Sequence, residues 1–212
     1  MTSSGGSGFE TLAERGYQVK MGAWLSQGWE LCQRNIGPFI GFVLIVFAIN
    51  LALGFIPIAG PVISILINNP LIAGYYIVAF KLLQGESTEF GDFFKGFENF
   101  VPLLVAGLLV SVFTFLGALL CILPGIYLAV GYFFVLPILV DAPSTEAWPA
   151  LETSRKVVTK QWFALFGFGL VLFLVNLLGA MLCGLGLLLT VPVTFCAIAV
   201  AYRDLQAQAS AI

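Results

Sequence analysis

Four asparagines stand inside long uncharged stretches of this sequence, where polar side chains are rare. They are Asn50, Asn68, Asn69 and Asn176. A side-chain amide in such surroundings either hydrogen-bonds to a neighbouring helix or lines a path for a polar substrate. The sequence favours the hydrogen-bonding role for Asn50 and Asn176, with the polar path as the alternative.

No catalytic group or metal-binding set accompanies these amides. The chain has no histidine and no Cys-x-x-Cys pair, which argues against His-based acid–base chemistry and against a zinc site. Every Asp and Glu lies outside the uncharged stretches, so the usual residues of a proton relay are missing there. We therefore expect a non-enzymatic protein with no catalytic residue, no metal site and no cofactor.

The four cysteines are interpreted as small apolar side chains. A disulfide between Cys121 and Cys183 is the alternative, because these two residues close the similar phrases LGALLC and LGAMLC. The other two cysteines are Cys32 and Cys196.

The composition is that of a membrane protein. Hydrophobic residues make up 60% of the chain and charged residues 9%. The uncharged stretches 35–80, 100–140 and 161–202 each have 41 residues or more. A membrane-spanning helix needs roughly 20 apolar residues, so each stretch holds two helices and a turn. The sequence predicts an all-α membrane protein with six transmembrane helices in three hairpins.

A polar segment precedes each hairpin and is predicted to form an amphipathic helix at the membrane surface. These segments are 9–34, 86–100 and 141–161. In the second segment the phenylalanines recur at helical spacing and form one apolar face. The aromatic residues of the segments, with the tryptophan after the third, are the candidate contacts with the membrane surface or a partner: Trp24, Trp29, Phe90, Phe93, Phe94, Phe97, Trp148 and Trp162.

The three hairpins read as copies of one unit of about 63 residues. LGALLC at 116–121 recurs as LGAMLC at 178–183, and NIGP at 35–38 is matched by NFVP at 99–102. Asn50 and Asn176 each follow a Phe by three residues and lie two such periods apart. We predict a single membrane domain, 9–205, with repeats at about 17–84, 87–142 and 145–205. A flexible tail at 1–8 and a C-terminal tail at 206–212 flank it. The repeats are arranged around a pseudo-threefold axis or in a row.

Charge predicts the orientation of the hairpins. Lys and Arg lie before the first span, in the links between hairpins and after the last span, and the three opposite turns have none. The positive-inside rule places both termini and the amphipathic helices in the cytoplasm. We expect the membrane to be the inner membrane of a bacterium. Spans four and six hold only about 16 to 18 apolar residues, so hairpins that end inside the bilayer are the alternative.

Pro70, Pro137 and Pro192 interrupt the second spans, where we expect kinks, with local unwinding as the alternative.

Several motifs resemble those of bacterial and archaeal families of uncharacterised six-helix integral membrane proteins. They are Gly28-Trp29 with Asn35, FGDFFKGF at 90–97, LPGIYLAVGY at 123–132 and ALETSRKVVTKQW at 150–162. The resemblance covers most of 28–202 and implies the location and the fold, without an activity or binding residues.

The function expected from these features is that of a structural, interaction or assembly component that organises the bilayer or a membrane complex. The alternative is a passive channel or carrier for a small apolar or lipid-like substrate. The expected partners are the lipid bilayer and another membrane protein or complex, and a homo-oligomer is compatible with the sequence. The net charge of −2 argues against nucleic acid as a partner.

Overall fold

The computed structural model describes residues 9, 12–14, 16–120, 122–182 and 184–210. Within these ranges the chain forms helices and turns, without a strand. Cys121 and Cys183 lie outside them, as does the N-terminal tail 1–8. The helices are α1 (Met21–Arg34), α2 (Ile36–Gly54), α3 (Ala59–Leu83), a 3₁₀ helix (Phe90–Asn99), α4 (Phe100–Leu120), α5 (Ile122–Gly131), α6 (Val135–Asp141), α7 (Ala147–Lys160), α8 (Trp162–Met181) and α9 (Leu187–Ser210).

Six helical segments of the described chain are long and apolar enough to cross a membrane. This finding confirms the prediction of an all-helical membrane protein with six candidate spans. The segments are Ile36–Gly54, Ala59–Leu83, Phe90–Leu120, Ile122–Asp141, Trp162–Met181 and Leu187–Ser210.

The second segment of each hairpin lies inside the molecule and the first lies at its periphery. In the second segments 44%, 39% and 44% of the most apolar stretch is buried, whereas in the first segments the share is 17%, 22% and 22%. Apolar side chains facing lipid carry no hydrophobic penalty, so the outer helices remain exposed without cost. The second segments therefore contribute more of the buried apolar side chains than the first segments do.

The helices that precede the hairpins pack against these inner segments. We call α1, the 3₁₀ helix and α7 the collar helices. The 3₁₀ helix packs on α3, α7 packs on α5 and α6, and α1 packs on α9. Each collar helix thus contacts the second segment of the preceding hairpin, and the first collar helix contacts the last hairpin, which closes a ring.

Glycines permit this close packing. A Cβ atom at Gly28 on α1 would lie 2.6 Å from the Cα atom of Ala197 on α9. A Cβ atom at Gly96 of the 3₁₀ helix would clash with the carbonyl oxygen of Pro70 on α3. The backbones approach closely at these points, which side chains larger than hydrogen would prevent.

The second collar helix differs from the expected α-helix, since residues 90–99 form a 3₁₀ helix. Its start is fixed by a capping box, in which the backbone N–H of Glu89 donates to Asp92 Oδ2 at 2.9 Å. With three residues per turn, Phe93 and Gly96 lie on one side, where both are buried.

Helix α9 continues to Ser210, beyond residue 205, where the membrane domain is predicted to end. Two glutamines of the expected tail bond to the rest of the fold. Gln206 Nε2 donates to Asp141 Oδ2 at 2.6 Å, and Gln208 Nε2 donates to the carbonyl of Gln18 at 3.1 Å. These distant partners extend the helix beyond the last apolar residues.

Candidate functional site

The fourth membrane segment is broken in its interior. Helix α5 ends at Gly131 and α6 begins at Val135, so residues 132–134 are not helical. Pro137 has no N–H to donate to the carbonyl of Phe133, four residues earlier, and its ring crowds that carbonyl. The break therefore lies one helical turn before the proline.

The other two inner segments stay continuous through their prolines, Pro70 in α3 and Pro192 in α9. Among the three positions, only the one beside Pro137 has a break, and the chain there keeps the hydrogen bonds of tight turns, such as that from the N–H of Val135 to the carbonyl of Tyr132 at 3.2 Å. Non-helical backbone at membrane depth is tolerated where it is buried in protein or lines a polar cavity.

Ser154 on α7 satisfies the broken backbone. Its fully buried hydroxyl donates to the carbonyl of Gly131 at 2.8 Å and accepts from the N–H of Phe134 at 3.2 Å. A single side chain thus bridges the end of α5 and the start of α6. Sequence reasoning missed Ser154, because nothing local marks this serine as the partner of a distant helix.

A polar pocket lies beside the break, between α3, α4 and the segment 132–136. Its cavity volume is about 140 Å³. Four polar side chains line it, and the rest of its lining is apolar or glycine, without a charged residue. The four are Asn69, Tyr76, Ser111 and Tyr132.

A second cavity, of about 220 Å³, lies on the other side of Tyr132. We call it the vestibule; Tyr132, Trp148, Leu151, Glu152 and Arg155 line it. Lys156 pairs with Glu152 at 2.8 Å, and its hydrogen bond and charge lower the pKa of the Glu152 carboxyl. Glu152 is therefore ionised at neutral pH. The vestibule is charged and the polar pocket is neutral.

A third cavity is an apolar groove between α2 and α9, with a volume of about 570 Å³. Among the described residues that line it, two have polar side chains, Asn50 and Tyr75. We call this cavity the groove; its other lining residues are Val43, Leu44, Val46, Phe47, Gly184, Leu185, Leu187, Leu188 and Val191.

The predicted amides lie between the two helices of their hairpins. Asn50 Nδ2 donates to Asn68 Oδ1 at 3.2 Å and to the carbonyl of Val46 at 2.9 Å. Asn176 Nδ2 donates to Thr194 Oγ1 at 2.7 Å. The bonds to Asn68 and Thr194 are interhelical, of the kind that hold helices together in lipid, while the bond to Val46 lies within α2. Asn69 lies instead against Gly107 and lines the polar pocket.

Two of the aromatic residues predicted to face the membrane surface or a partner are buried, which corrects their assignment. Trp24 packs edge-on against Phe168 and donates its Nε1–H to Asp204 Oδ2 at 3.0 Å. Phe93 stacks on Phe42 with ring centroids 4.5 Å apart. Both belong to the core, because the collar helices turn these faces inward against the inner segments.

The remaining aromatic residues are partly or largely accessible. Phe94 packs against Phe42, and Trp162 donates its Nε1–H to the carbonyl of Tyr127 at 3.4 Å. The most exposed members, with exposures of 39% to 59%, are Trp29, Phe90, Phe97 and Trp148.

The collar helices lie at one end of the molecule, which we call the charged end. Three carboxylates there form ion pairs with other elements, and one of them, Asp92, also pairs within its own 3₁₀ helix. No group of three or more His, Cys, Asp or Glu within the described ranges is placed to hold a metal ion. The pairs are Asp92 with Lys81 and Lys95 at 2.8 and 2.7 Å, Asp141 with Arg203 at 2.8 Å, and Asp204 with Lys20 at 3.0 Å.

Comparison of the chain with protein families, with curated proteins and with solved structures finds no match in any of the three.

Proposed function

We propose that this chain is a non-enzymatic integral membrane protein that organises the lipids around it, by holding a lipid acyl chain in the groove between α2 and α9. The observation that carries the proposal is the groove itself. Its volume falls within the range of roughly 300 to 1,000 Å³ typical of ligand sites, and its lining is almost wholly apolar. Asn50 is already bonded to Asn68 and needs no ligand to satisfy it.

The groove supports retention of a chain more than passage of one. Toward the charged end, Tyr75 stacks on Phe195 with centroids 4.6 Å apart and meets Phe42 edge-on at 4.9 Å. Tyr75 and Phe42 are buried and Phe195 is partly buried, so the three rings narrow that side of the groove. A bound chain therefore stays on the lipid-facing side of the molecule.

The test uses a substitution that fills the groove. Val191→Trp places a large ring in it, while Val112→Trp places the same ring on the exposed face of α4 as a control. Native mass spectrometry of protein extracted in mild detergent should show a phospholipid bound to the wild type and to Val112→Trp, and little on Val191→Trp. A phospholipid with a photoreactive acyl chain should crosslink to 43–50 and 184–191. Equal lipid retention by the two variants would contradict the proposal.

The second candidate function is a passive carrier of an apolar or lipid-like substrate, and the same groove would be its site. A carrier requires the Tyr75–Phe195 stack to open. Lipid transfer between leaflets of proteoliposomes that is abolished by Val191→Trp would favour the carrier over the organising role.

We propose that the three hairpins are repeats around a pseudo-threefold axis. Three observations support this. The Asn50–Asn68 and Asn176–Thr194 bonds each join residues 18 apart, at positions 126 residues apart in the chain. The inner and outer segments alternate in all three hairpins. The collar helices close a ring of equivalent contacts.

We also propose that the collar helices are amphipathic helices at the cytoplasmic face of a bacterial inner membrane, with both termini on that side. The four exposed aromatic residues would lie among the lipid headgroups, as tryptophan and tyrosine belts do. The partner is the bilayer, and a second membrane protein or another copy of this chain would contact the same exposed aromatic residues. The proposed relatives remain the uncharacterised six-helix families.

A further inference from the structure

The second hairpin departs from the pattern shared by the other two. At a spacing of 63 residues, Asn50 and Asn176 both align with Phe113, while Asn68 and Thr194 both align with Gly131. The hydrogen-bonded pair of the first and third hairpins is thus replaced by a pair that cannot form that bond. Gly131 is also the last residue before the break in the fourth segment. The second hairpin therefore lacks the interhelical hydrogen bond of the other two, and it is the hairpin that contributes to the polar pocket.

From this geometry we infer that the polar pocket and the vestibule form a binding site for a small uncharged solute rich in hydrogen-bonding groups, such as a polyol, entered from the charged end past Tyr132. The site shares no lining residue with the groove, so it stands independently of the proposed lipid binding.

The lining of the pocket favours solutes that form hydrogen bonds and carry no charge. Its lining includes Asn69, Tyr76, Ser111 and Tyr132, whose amide and hydroxyl groups are both donors and acceptors, among apolar side chains. An ion in this neutral lining, near the middle of α3 and α4, would find no opposite charge to offset its desolvation. The desolvation of an uncharged polar solute costs less free energy, and hydrogen bonds to these side chains can offset it.

The size of the cavity sets the size of the solute. A cavity of about 150 Å³ accommodates a molecule as large as benzene, with about six non-hydrogen atoms. At about 140 Å³, the polar pocket therefore suits a molecule of the size of glycerol. The amide of Asn69 reaches this position because Gly107 leaves it room; a Cβ at Gly107 would clash with that amide.

Tyr132 separates the two cavities. It lines both of them and belongs to the non-helical segment held by Ser154. Its ring lies 6.5 Å from that of Phe113, which in turn meets Trp148 at 6.1 Å on the vestibule side. Rotation of this one side chain joins the charged, water-accessible vestibule to the neutral pocket. The helix break places this side chain in a turn, outside the regular geometry of α5 and α6.

The test measures protection of an introduced thiol in the full-length chain, reconstituted in lipid nanodiscs with Cys121 and Cys183 replaced by Ala. Val110→Cys places the thiol in the pocket lining, and Val112→Cys places it on the exposed face of α4 as the matched control. The reagent is methyl methanethiolsulfonate, which is small and uncharged.

Glycerol should slow labelling of Cys at position 110, by about threefold when its concentration is twice its Kd, and leave position 112 unaffected. Sodium acetate and choline chloride should protect neither. Tyr132→Ala should speed labelling at 110, and Asn69→Leu should remove the protection by glycerol while labelling continues.

Absence of protection at 110, or equal protection at 110 and 112, would overturn the inference. Protection by acetate or choline equal to that by glycerol would overturn the selectivity for uncharged solutes. A thiol at 110 that stays unreactive even with Tyr132→Ala would overturn entry from the charged end. Each variant is first shown to be monodisperse and helical, so that a folding failure is not mistaken for any of these outcomes.

Discussion

The hydroxyl of Ser154 on α7 donates to the carbonyl of Gly131, the last residue of α5, at 2.8 Å. The same hydroxyl accepts from the N–H of Phe134, so two backbone groups freed by the break depend on one buried side chain. This relationship couples a collar helix to the interior of a membrane segment. It also explains how the fourth segment is interrupted without unpaired backbone groups at these two positions.

Ser154→Ala should destabilise the protein by about 1 to 3 kcal/mol, because it leaves a buried N–H and a buried carbonyl without their partner. Denaturant unfolding in detergent, followed by circular dichroism, measures the loss. Ser144→Ala, at an exposed position in the link before α7, serves as the control and should change little. Equal stability of the two variants would mean that the break does not rely on Ser154.

The Asn50–Asn68 bond should contribute a modest coupling free energy. A double-mutant cycle with Asn50→Leu and Asn68→Leu should give about 0.6 kcal/mol, since interhelical bonds in membranes average about that value. The same cycle at Asn176 and Thr194 should give a similar result. Unchanged stability accompanied by loss of solute flux in proteoliposomes would instead favour a polar path through these residues.

Gly28→Ala should destabilise the contact between α1 and α9. The added Cβ would lie 2.6 Å from the Cα atom of Ala197, and backbone must move to accept it. Overpacking of this kind costs about 1 to 3 kcal/mol. Gly22→Ala on the same helix, where nothing lies within 4 Å of the new atom, should instead raise stability slightly through better helix propensity. Thermal unfolding of both variants in the same detergent gives the comparison.

The topology predicts which thiols are accessible in intact cells. A cysteine introduced at Ala59, where α3 begins, should react with a membrane-impermeant thiol reagent added outside. A cysteine at Ser210, where α9 ends, should react only after the membrane is opened. Protection at position 59 in both conditions would indicate hairpins that end inside the bilayer.

Hydropathy and charge located most of the helices because both signals are local. Roughly 20 apolar residues in a row must form a helix in lipid, since no water is present to satisfy the backbone. The prediction was weakest where a distant contact decides the outcome. Residues 90–99 form a 3₁₀ helix, in which Gly96 packs against the carbonyl of Pro70. Helix α9 extends to Ser210, and its glutamines hydrogen-bond to Gln18 and Asp141.

Trp24 and Trp29 show how little the sequence says about the burial of an individual side chain. They lie on the same helix and looked alike in the sequence, yet Trp24 is buried against Phe168 and Asp204 while Trp29 is 42% exposed. Which face turns inward depends on α8 and α9, far along the chain. The helical spacing of Trp24, Gly28, Leu31 and Cys32 marks one face of α1, which excludes Trp29, but only the packing shows that this face meets protein and not the membrane surface.

The sequence by itself determined that this chain is a helical membrane protein with six candidate spans, because each of those features follows from neighbouring residues. The tertiary structure alone decided which helices lie inside, where the fourth segment breaks, and that Asn69, Tyr76, Ser111 and Tyr132 line one pocket. The physical reason is that these outcomes depend on packing between residues distant in the chain. Pro137 marks a position where the fourth segment can break, but Pro70 and Pro192 carry the same mark in helices that continue, so the proline alone does not decide the outcome.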